Sequence, residues 1–283
     1  MKVFYSERMV ADAQSFSPSA RKPRQVLASW QRRFPVLEVI EPTPVTVEEL
    51  CLAHDPKYVR DVLSLRQANG FGNHLPEVAE SLPWTNGAMV SAARAALMEG
   101  CAVAPVAGFH HACYAQGGGF CTFNGLMVAA MTLRHDKSVR KIGILDFDQH
   151  YGNGTTDIIR EVGAHWVEHY SSGAWWEHVE EAERFLDEIP SIMKQFDDCQ
   201  LLLYQAGADP HINDPLGGWL TTPQLRERDR RVFVACKAMG LPIAWNLAGG
   251  YQTNLRKVLD IHDNTMLECL AEYLFESLDF AAG

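Results

Sequence analysis

The stretch Asp146-Phe147-Asp148-Gln149-His150 follows directly on the apolar run Lys141-Ile142-Gly143-Ile144-Leu145, and it indicates the fold more clearly than any other segment. Side chains alternate between the two faces of a strand, so the two aspartates and the histidine are predicted to point the same way. Side chains of these types on one face can bind a single divalent metal ion. The turn-forming residues 151–154 come next, which places the cluster where a buried strand opens towards solvent. Ligands bind at such strand ends in open α/β sheets.

The bulk composition indicates an ordinary globular protein. The chain has 283 residues, of which 47% are apolar and 21% are charged. This composition and length predict one domain covering residues 1–283. The formal net charge of -10 argues against nucleic acid as a partner, because phosphate binding needs a basic face. A cationic substrate fits the acidic balance better.

The cysteines and the N-terminal segment bear on the cellular compartment in which we expect the protein. Seven cysteines are scattered without CxxC pairs, which is typical of a reducing environment. The start MKVFYSERMV has no long apolar region and no cleavage signature. No stretch approaches the roughly 20 apolar residues that a membrane helix requires. We therefore expect a cytoplasmic protein with no membrane partner. The oligomeric state is not readable from these features.

Short apolar runs alternate with helical patterns, which predicts an α/β fold with a central, mainly parallel β-sheet and helices on both faces. The predicted strands are Val3–Tyr5, Val103–Ala107, Lys141–Phe147, Gln200–Gln205 and Pro242–Leu247. The predicted helices are Val47–Ala53, Pro56–Leu65, Ala88–Leu97, Gly125–Leu133, Trp175–Phe196 with a kink or break at Pro190, Thr222–Met239 and Asp263–Ser277. The Gly- and Pro-containing segment Asn69–Asn86 is predicted to form surface loops.

Four segments place small residues together with metal-ligand or acid–base types just after a predicted strand. They are Gly108-Phe109-His110-His111, the opening Asp–His cluster, Gly207-Ala208-Asp209-Pro210-His211 and Ala248-Gly249-Gly250-Tyr251. Each segment alone has a plain structural explanation, as a solvated loop, a tight βα connection or ordinary packing. Their joint position after successive strands favours convergence on one pocket.

The residue types in these segments suit metal-assisted amide hydrolysis. Asp148, His150 and Asp209 make a zinc set that leaves a coordination position for water and substrate. Zinc lowers the pKa of bound water to about 7 in favourable sites. The pair His110-His111 offers a group that takes a proton from water and returns it to a leaving amine. Tyr251 offers a hydroxyl that can donate to an oxyanion.

Five strings, in order along the chain, resemble the histone deacetylase / acetylpolyamine amidohydrolase family, within the arginase-deacetylase superfamily. The strings are AHDPKYV (53–59), GFHHACYAQGGGFCTFNG (108–125), LDFDQHYGNGTTD (145–157), QAGADPHINDPLGGWLTT (205–222) and LAGGYQ (247–252). The resemblance is to a bacterial class II-like member. It implies a single α/β domain with a central parallel sheet and one zinc ion per chain.

The resemblance also implies roles for the metal ligands and the two histidines. Asp148, His150 and Asp209 stand where the family has its three metal ligands. His111 stands as the general base and acid, and His110 supplies electrostatic and orienting support.

Further roles follow from the same resemblance. Asp146 matches the carboxylate that pairs with the first histidine and helps to hold a potassium ion. Asn153 stands where the partner of the second histidine lies, a position that is Asp in other members. Tyr251 matches the transition-state tyrosine. Gly119 and Phe120 match one wall of the substrate tunnel, and Gly250 is assigned to substrate binding with them.

The chain departs from the family pattern around the expected tunnel. Gly108-Phe109 replaces the usual Pro-Gly, and Tyr151 replaces a second histidine. The segment between Asp157 and Gln200 is short and lacks the stretch that supplies the opposite wall. Trp175 or Trp176 could rebuild that wall, although ordinary packing is the favoured interpretation for each.

The same short segment shows no evident serine ligand for potassium. Glu168 is the residue expected nearest to that position. The sequence therefore leaves open whether a potassium ion binds.

We therefore expect a zinc-dependent deacetylase that hydrolyses the acyl-amide bond of an acetylated amine. Acetyl-lysine, an acetylpolyamine or another small N-acyl amine would be the substrate and partner. One alternative is an arginase-like hydrolase with a binuclear manganese site. Another is a non-catalytic small-molecule binding protein on a deacetylase scaffold. One metal ion per chain would support the deacetylase, whereas two would support the arginase-like hydrolase. Turnover of an acetylated amine would support the deacetylase over the binding protein.

Overall fold

Seven strands of the computed structural model pair in one sheet, and every pairing is parallel. The structure describes residues 1 to 275. The sheet order is β2-β1-β3-β7-β6-β4-β5. The strands are β1 (Lys2–Phe4), β2 (Glu38–Ile40), β3 (Cys101–Ala104), β4 (Ile142–Asp146), β5 (Val167–Ser171), β6 (Leu202–Gln205) and β7 (Ile243–Asn246).

Helices flank the sheet and connect its strands. They are α1 (Lys22–Arg33), α2 (Val47–Leu50), α3 (Pro56–Leu63), α4 (Pro76–Glu99), α5 (Gly125–His135), α6 (Asn153–Glu161), α7 (Ala182–Met193), α8 (Thr222–Met239) and α9 (Leu255–Leu270). The central strands β3, β4, β6 and β7 are buried along their whole length. Buried, mostly apolar strands of this kind are typical of a parallel sheet covered on both faces. The described residues form a single α/β domain, as the sequence predicted.

The register of the sheet brings several strand ends to one level. Ala104 pairs with Asn246, Asn246 with Gln205, and Gln205 with Asp146. Asp146 pairs in turn with Ser171 on β5. These residues form a row across the carboxyl edge of the sheet. The loops that follow them therefore begin side by side, which is the position where open α/β sheets bind ligands.

All five predicted strands are present, but two strands were not predicted. The missed strands β2 and β5 are the two edges of the sheet. Strand β2 is largely exposed, and the middle of β5 is a partly exposed Glu-His-Tyr sequence. Edge strands lack burial on one side, so the apolar run that marks a buried parallel strand is absent from them.

The prediction of surface loops across Asn69–Asn86 is wrong from Pro76 onwards. Helix α4 begins there, because proline is well suited to the first helical position. The helix continues through Pro83, whose carbonyl accepts a hydrogen bond from the Val45 backbone at 3.0 Å. Tertiary packing therefore overrides the helix-breaking tendency of this proline.

Two other helix predictions need correction. In the predicted helix Trp175–Phe196, regular α-helix begins only at Ala182, and Pro190 does not break it. Proline removes the hydrogen bond to the carbonyl four residues earlier, and here Arg231 donates to that Leu186 carbonyl instead. The final helix begins at Leu255, before the predicted Asp263, and residues 276–277 of that prediction lie outside the described residues.

Helix α8 has the bounds that the sequence predicts. Its start is a capping box between Thr221 and Gln224, and Gly240, which has a φ of 62°, caps its C-terminal end. Helices α2, α3 and α5 begin at the predicted residues, and the predicted Ala88–Leu97 lies inside α4. Between residues 1 and 275, no helix has the length and apolar character needed to cross a membrane.

Candidate active site

Four neighbouring strands carry the four polar segments. The strands β3, β7, β6 and β4 are consecutive in the sheet, and each is followed by one of the segments singled out in the sequence. Because their carboxyl ends lie in register, the side chains that follow them meet at one edge. This convergence is what the sequence predicted from the positions of the motifs.

Asp148, His150 and Asp209 form a compact three-residue group. One ligand atom from each lies within 4.8 Å of the others. The His150 Nδ1 atom is 3.2 Å from Asp148 Oδ1 and 3.1 Å from Asp209 Oδ2. Both carboxylates are buried, whereas His150 is partly exposed and borders the solvent. Two carboxylates and one imidazole on an accessible edge are a donor set that suits zinc with an open position.

The electrostatics of this group also fit a bound cation. Burial, together with the neighbouring Asp148, raises the pKa of the Asp209 carboxyl to about 7. Two buried carboxylates repel each other, and a divalent cation between them would remove that repulsion. The backbone N–H of Gly249 donates to Asp148 Oδ2 at 2.9 Å and so orients one of the two. The residues present therefore fit a metal ion.

Glycine is required beside Asp209. A Cβ atom at Gly249 would lie 2.3 Å from Asp209 Oδ2, closer than any real contact. The short connection after β7 can therefore pass directly behind the Asp209 carboxylate only because residue 249 has no side chain.

His110 is buried and bonded to Asp146. Its Nδ1 atom lies 2.8 Å from Asp146 Oδ2, and its Nε2 atom lies 3.5 Å from Asp148 Oδ1. Burial works against the charged imidazole, but Asp146 and Asp148 outweigh it and raise the pKa of His110 to about 9. Asp146 also accepts hydrogen bonds from the Asp148 backbone and the Gln205 side chain through Oδ1. The aspartate is thereby fixed in place.

His111 has a neutral partner and a more open position. Its Nδ1 atom lies 2.7 Å from Asn153 Oδ1, at the start of α6. Burial and the neighbouring His110 lower the pKa of His111. Its ring centroid is 4.0 Å from that of His110 and 5.8 Å from that of His150. A surface cleft is lined by His111, Asn153 and Gly119, so solvent reaches this imidazole.

Tyr251 lies on the connection after β7. Its backbone N–H donates to Asp214 Oδ2 at 2.7 Å. Burial, followed by the charges of Asp209 and Asp148, raises the pKa of the Tyr251 hydroxyl well above its usual range. The hydroxyl is therefore a neutral hydrogen-bond donor at physiological pH.

The three residues expected to bind substrate lie in different surroundings. Gly119 is exposed, and a Cβ atom there would lie 2.5 Å from the His111 ring. Phe120 is half-buried, with its ring centroid 5.7 Å from that of Tyr251. Gly250 is buried, and a Cβ atom there would lie 2.8 Å from Val258. Gly119 and Phe120 thus border the histidines and the tyrosine, whereas Gly250 faces inwards.

Two buried cations that the sequence did not single out hold the loops of the site. The Arg228 Nη1 group, on α8, donates to the carbonyls of Phe147 at 3.0 Å and Gly207 at 2.8 Å. The Lys22 Nζ group, on α1, donates to the carbonyls of Ala248 at 2.6 Å and Gly249 at 2.8 Å. A basic residue is expected to be solvent-exposed when only the sequence is known, so no local signal marks either residue.

Arg228 is expected to be important for stability. In an Arg228→Met variant, two buried carbonyls and the adjacent Asp229 lose a donor, so we expect the free energy of unfolding to fall by about 3–5 kcal/mol. Urea unfolding monitored by circular dichroism measures this. Arg230→Met is the matched control, because Arg230 lies on the same helix, is exposed and forms a surface ion pair with Glu227. A surface pair is worth about 0–1 kcal/mol. Equal effects of the two substitutions would contradict the assignment.

Glu168 lies away from Asp146, contrary to the expectation that it stands near the potassium position. Glu168 pairs with Gly143 at the other end of β5, and its carboxylate lies 3.4 Å from Lys141 Nζ. Ser171 is the residue opposite Asp146, and its hydroxyl accepts from the Gly152 backbone at 3.0 Å. The next residue, Ser172, donates to the Asp148 carbonyl at 3.0 Å. A serine, Ser171, therefore occupies the strand position paired with Asp146.

The two tryptophans differ in their surroundings. Trp176 is buried against Phe185 and donates to the Tyr170 hydroxyl at 2.8 Å. Trp175 is 71% exposed and lines a groove with Tyr170 and Arg184. Trp176 is therefore an ordinary packed side chain, which is the interpretation that the sequence favoured.

Comparison with known proteins identifies the family. The model of the histone deacetylase domain matches residues 18–167 and 166–266. These matches span most of the chain, and the chain belongs to the histone deacetylase domain family.

Individual relatives are similar over different parts of the chain. An uncharacterized protein of Picosynechococcus sp. is 27% identical over 244 residues, which are 75% of this chain and 78% of that protein. The acetylpolyamine amidohydrolase of Mycoplana ramosa is 52% identical over 54 residues, 19% of this chain and 16% of that enzyme. The crystal structure of the HDA15 HD domain has a TM-score of 0.77 at 20% identity, covering 96% of this chain and 89% of that one. The similarity to the HDA15 HD domain shows a shared fold and nothing more.

Proposed function

We propose that the chain is a zinc-dependent deacetylase that hydrolyses the acyl-amide bond of an acetylated amine. The substrate would be an acetyl-lysine, an acetylpolyamine or another small N-acyl amine. The observation that carries the proposal is the meeting of the Asp148–His150–Asp209 group with two histidines that have different partners. The similarity to the Mycoplana ramosa acetylpolyamine amidohydrolase supports the choice of substrate class.

Asp148, His150 and Asp209 would hold the zinc ion. When bound there, zinc would supply Lewis-acid chemistry, polarising the acyl carbonyl and lowering the pKa of a bound water molecule to about 7. One ion per chain is proposed, because the three residues form one group of donors. A potassium ion beside Asp146, as the family resemblance implies, stays a prediction.

His111 is proposed as the general base and then the general acid. Its lowered pKa keeps the imidazole neutral at physiological pH, ready to accept a proton from the attacking water. The hydrogen bond to Asn153 fixes the ring so that Nε2 is the free nitrogen. The protonated ring then donates to the leaving amine nitrogen.

His110 and Tyr251 are proposed to stabilise charge. The Asp146 partner favours a protonated His110, which places a positive charge beside the reacting carbonyl. The neutral Tyr251 hydroxyl donates to the oxyanion that develops on that carbonyl. The different partners of the two histidines and the opposite shifts of their pKa values support an enzyme over a binding protein.

The neutral partner of His111 leads to a pH prediction. In Asn153→Asp, a carboxylate 2.7 Å from the imidazole in the same geometry would favour the imidazolium and raise its pKa. Because the base must be neutral, we expect the acid limb of the pH profile of kcat/KM to move up by about one pH unit. Asn254→Asp is the matched control, since Asn254 is an exposed cap of α9. An unmoved acid limb would show that His111 is not the base.

Acetate release tests the proposed function directly. The zinc-loaded protein is incubated with an acetyl-lysine peptide, an acetylated diamine and an acetylated polyamine, and acetate is measured. We expect turnover of at least one of these substrates. Recovery of bound but unchanged ligand would instead support the binding-protein alternative.

A further inference from the structure

The hydrogen-bonded pair of His111 and Asn153 has a third member, the thiol of Cys113. The Asn153 Nδ2 group donates to the Cys113 Sγ atom at 3.7 Å, while Asn153 Oδ1 lies 2.7 Å from His111 Nδ1. We propose that Cys113 is a positioning residue that keeps the amide oxygen of Asn153 towards His111 and so selects the tautomer that can act as a base. The inference rests on the proposed function, because it concerns the base of the same site.

The orientation of the Asn153 amide decides where the His111 proton lies. An asparagine side chain ends in an oxygen that accepts and an NH2 group that donates, and the two are nearly equal in size. With the oxygen towards His111, the proton lies on Nδ1 and Nε2 keeps a free lone pair. With the NH2 group towards His111, Nδ1 must accept, the proton lies on Nε2, and the imidazole cannot take a proton from water.

The surroundings of Asn153 leave the amide free to turn unless a neighbouring group holds it. Asn153 is exposed at the start of α6, and it lines a surface cleft together with His111 and Cys113. Water can donate to or accept from either end of the amide, so it does not select one orientation. The selection therefore depends on the protein group to which the Asn153 NH2 donates, which is the sulfur of Cys113.

The Cys113 thiol acts as an acceptor towards Asn153 because its own proton has other acceptors. The thiol donates to the His111 carbonyl at 3.7 Å. Burial, followed by the nearby Asp157 carboxylate, raises the pKa of the Cys113 thiol, so it stays protonated and that carboxylate is a second acceptor for its proton. A thiol whose proton points to oxygens leaves its sulfur lone pairs for the Asn153 N–H bond. A turned amide would instead bring its oxygen against those lone pairs.

The backbone of Cys113 is fixed on both sides of its side chain. The Cys113 N–H donates to the Gln116 carbonyl at 2.9 Å, and its carbonyl accepts from the buried His54 Nδ1 at 3.0 Å. The Asn124 N–H donates to His54 Nε2 at 2.8 Å, which leaves the proton of that imidazole on Nδ1. Burial lowers the pKa of His54 to about 4, so this arrangement is neutral and permanent at physiological pH. The sulfur is therefore presented to Asn153 from a rigid loop.

Kinetics in two backgrounds test this assignment. A base held in the wrong tautomer can lose about 10⁴-fold in kcat, so activity should follow the fraction of correctly turned amide. In the zinc-loaded protein we expect Cys113→Ala to lower kcat on an acetylated amine about 3- to 10-fold with little change in KM, the factor by which one hydrogen bond shifts an equilibrium. In the Asn153→Asp background the same substitution should change kcat by less than about 2-fold, because a carboxylate presents an oxygen whichever way it turns.

Two further variants serve as controls, and all rates are compared at a pH above the acid limb of both backgrounds. Cys113→Ser keeps a group that can donate and accept, so it should keep kcat close to the wild-type value. Cys51→Ala is the matched control, because Cys51 is also a half-buried free thiol but follows α2. It should behave like wild type. Equal losses from Cys113→Ala in the two backgrounds, or a loss of the same size in Cys51→Ala, would overturn the proposal.

Nitrogen NMR of the His111 ring separates failure of this inference from failure of the proposed function. The two neutral tautomers have different ring-nitrogen shifts, and the His111 signals are assigned by their loss in His111→Gln. We expect the Nδ1–H tautomer in zinc-loaded wild type and a large share of Nε2–H in Cys113→Ala, whether or not a substrate is turned over. A wild type that turns over no acetylated amine would contradict the proposed function alone. The same tautomer in both proteins would overturn the role of Cys113.

Discussion

Replacing Asp209 with alanine is expected to weaken zinc binding by more than about 100-fold, since changing even a residue that only orients a ligand costs about 10–100-fold. Asp209 contributes one of the two buried carboxylates, and its Oδ2 lies 3.1 Å from His150 Nδ1. Deacetylase activity should disappear with the metal. Metal content after dialysis, measured by mass spectrometry, is the direct readout.

The matched control for this variant is Asp197→Ala. Asp197 is exposed and lies between α7 and β6, away from the carboxyl ends of the strands. It should keep about one zinc per chain and wild-type turnover, as expected for a surface substitution. A fully metallated Asp209→Ala protein would refute the ligand assignment. Circular dichroism of both variants separates a lost ligand from a lost fold.

The second large effect is expected from Tyr251→Phe. If the hydroxyl donates to the oxyanion, kcat should fall about 100- to 1000-fold while KM and zinc content stay close to wild type. The substitution removes only the oxygen, so the ring contact with Phe120 is retained. Steady-state kinetics on the best acetylated amine, together with a zinc assay, test this.

Tyr170→Phe removes a hydroxyl of the same kind elsewhere. That hydroxyl accepts from Trp176 Nε1 at 2.8 Å and takes no part in the proposed chemistry. We expect its loss to lower stability by about 0.5–1.5 kcal/mol and to leave kcat unchanged. Full activity in Tyr251→Phe would show that the Tyr251 hydroxyl does not stabilise the oxyanion.

The central part of the fold was predictable, because burial on both faces leaves a clear pattern. Strand β4 is a continuous buried run, and its neighbours β3, β6 and β7 are similar. The edge strands β2 and β5 have no such run and were missed. The start of α4 was missed because Pro76 and Pro83 read as loop signals, whereas the first lies at a favourable helix start and the second is accommodated by packing.

The meeting of Asp148, His150 and Asp209 was predictable from sequence, but the residues that support the site were not. Asp148 and Asp209 follow strands that are adjacent in the sheet, so their meeting follows from the α/β pattern. Arg228 and Lys22 donate to loop carbonyls from distant helices, and only the folded chain shows those contacts. Asp146 is on the same predicted strand face as the metal ligands, but its Oδ2 atom pairs with His110 instead.

Zinc titration of the metal-stripped protein, with acetate release from an acetylated amine measured at each point, is the decisive experiment. We expect activity to rise in proportion to added zinc and to reach its plateau at one ion per chain. A plateau that requires two ions would favour a binuclear hydrolase. Saturation with one zinc ion and no acetate release from any acetylated amine would contradict the proposed deacetylase.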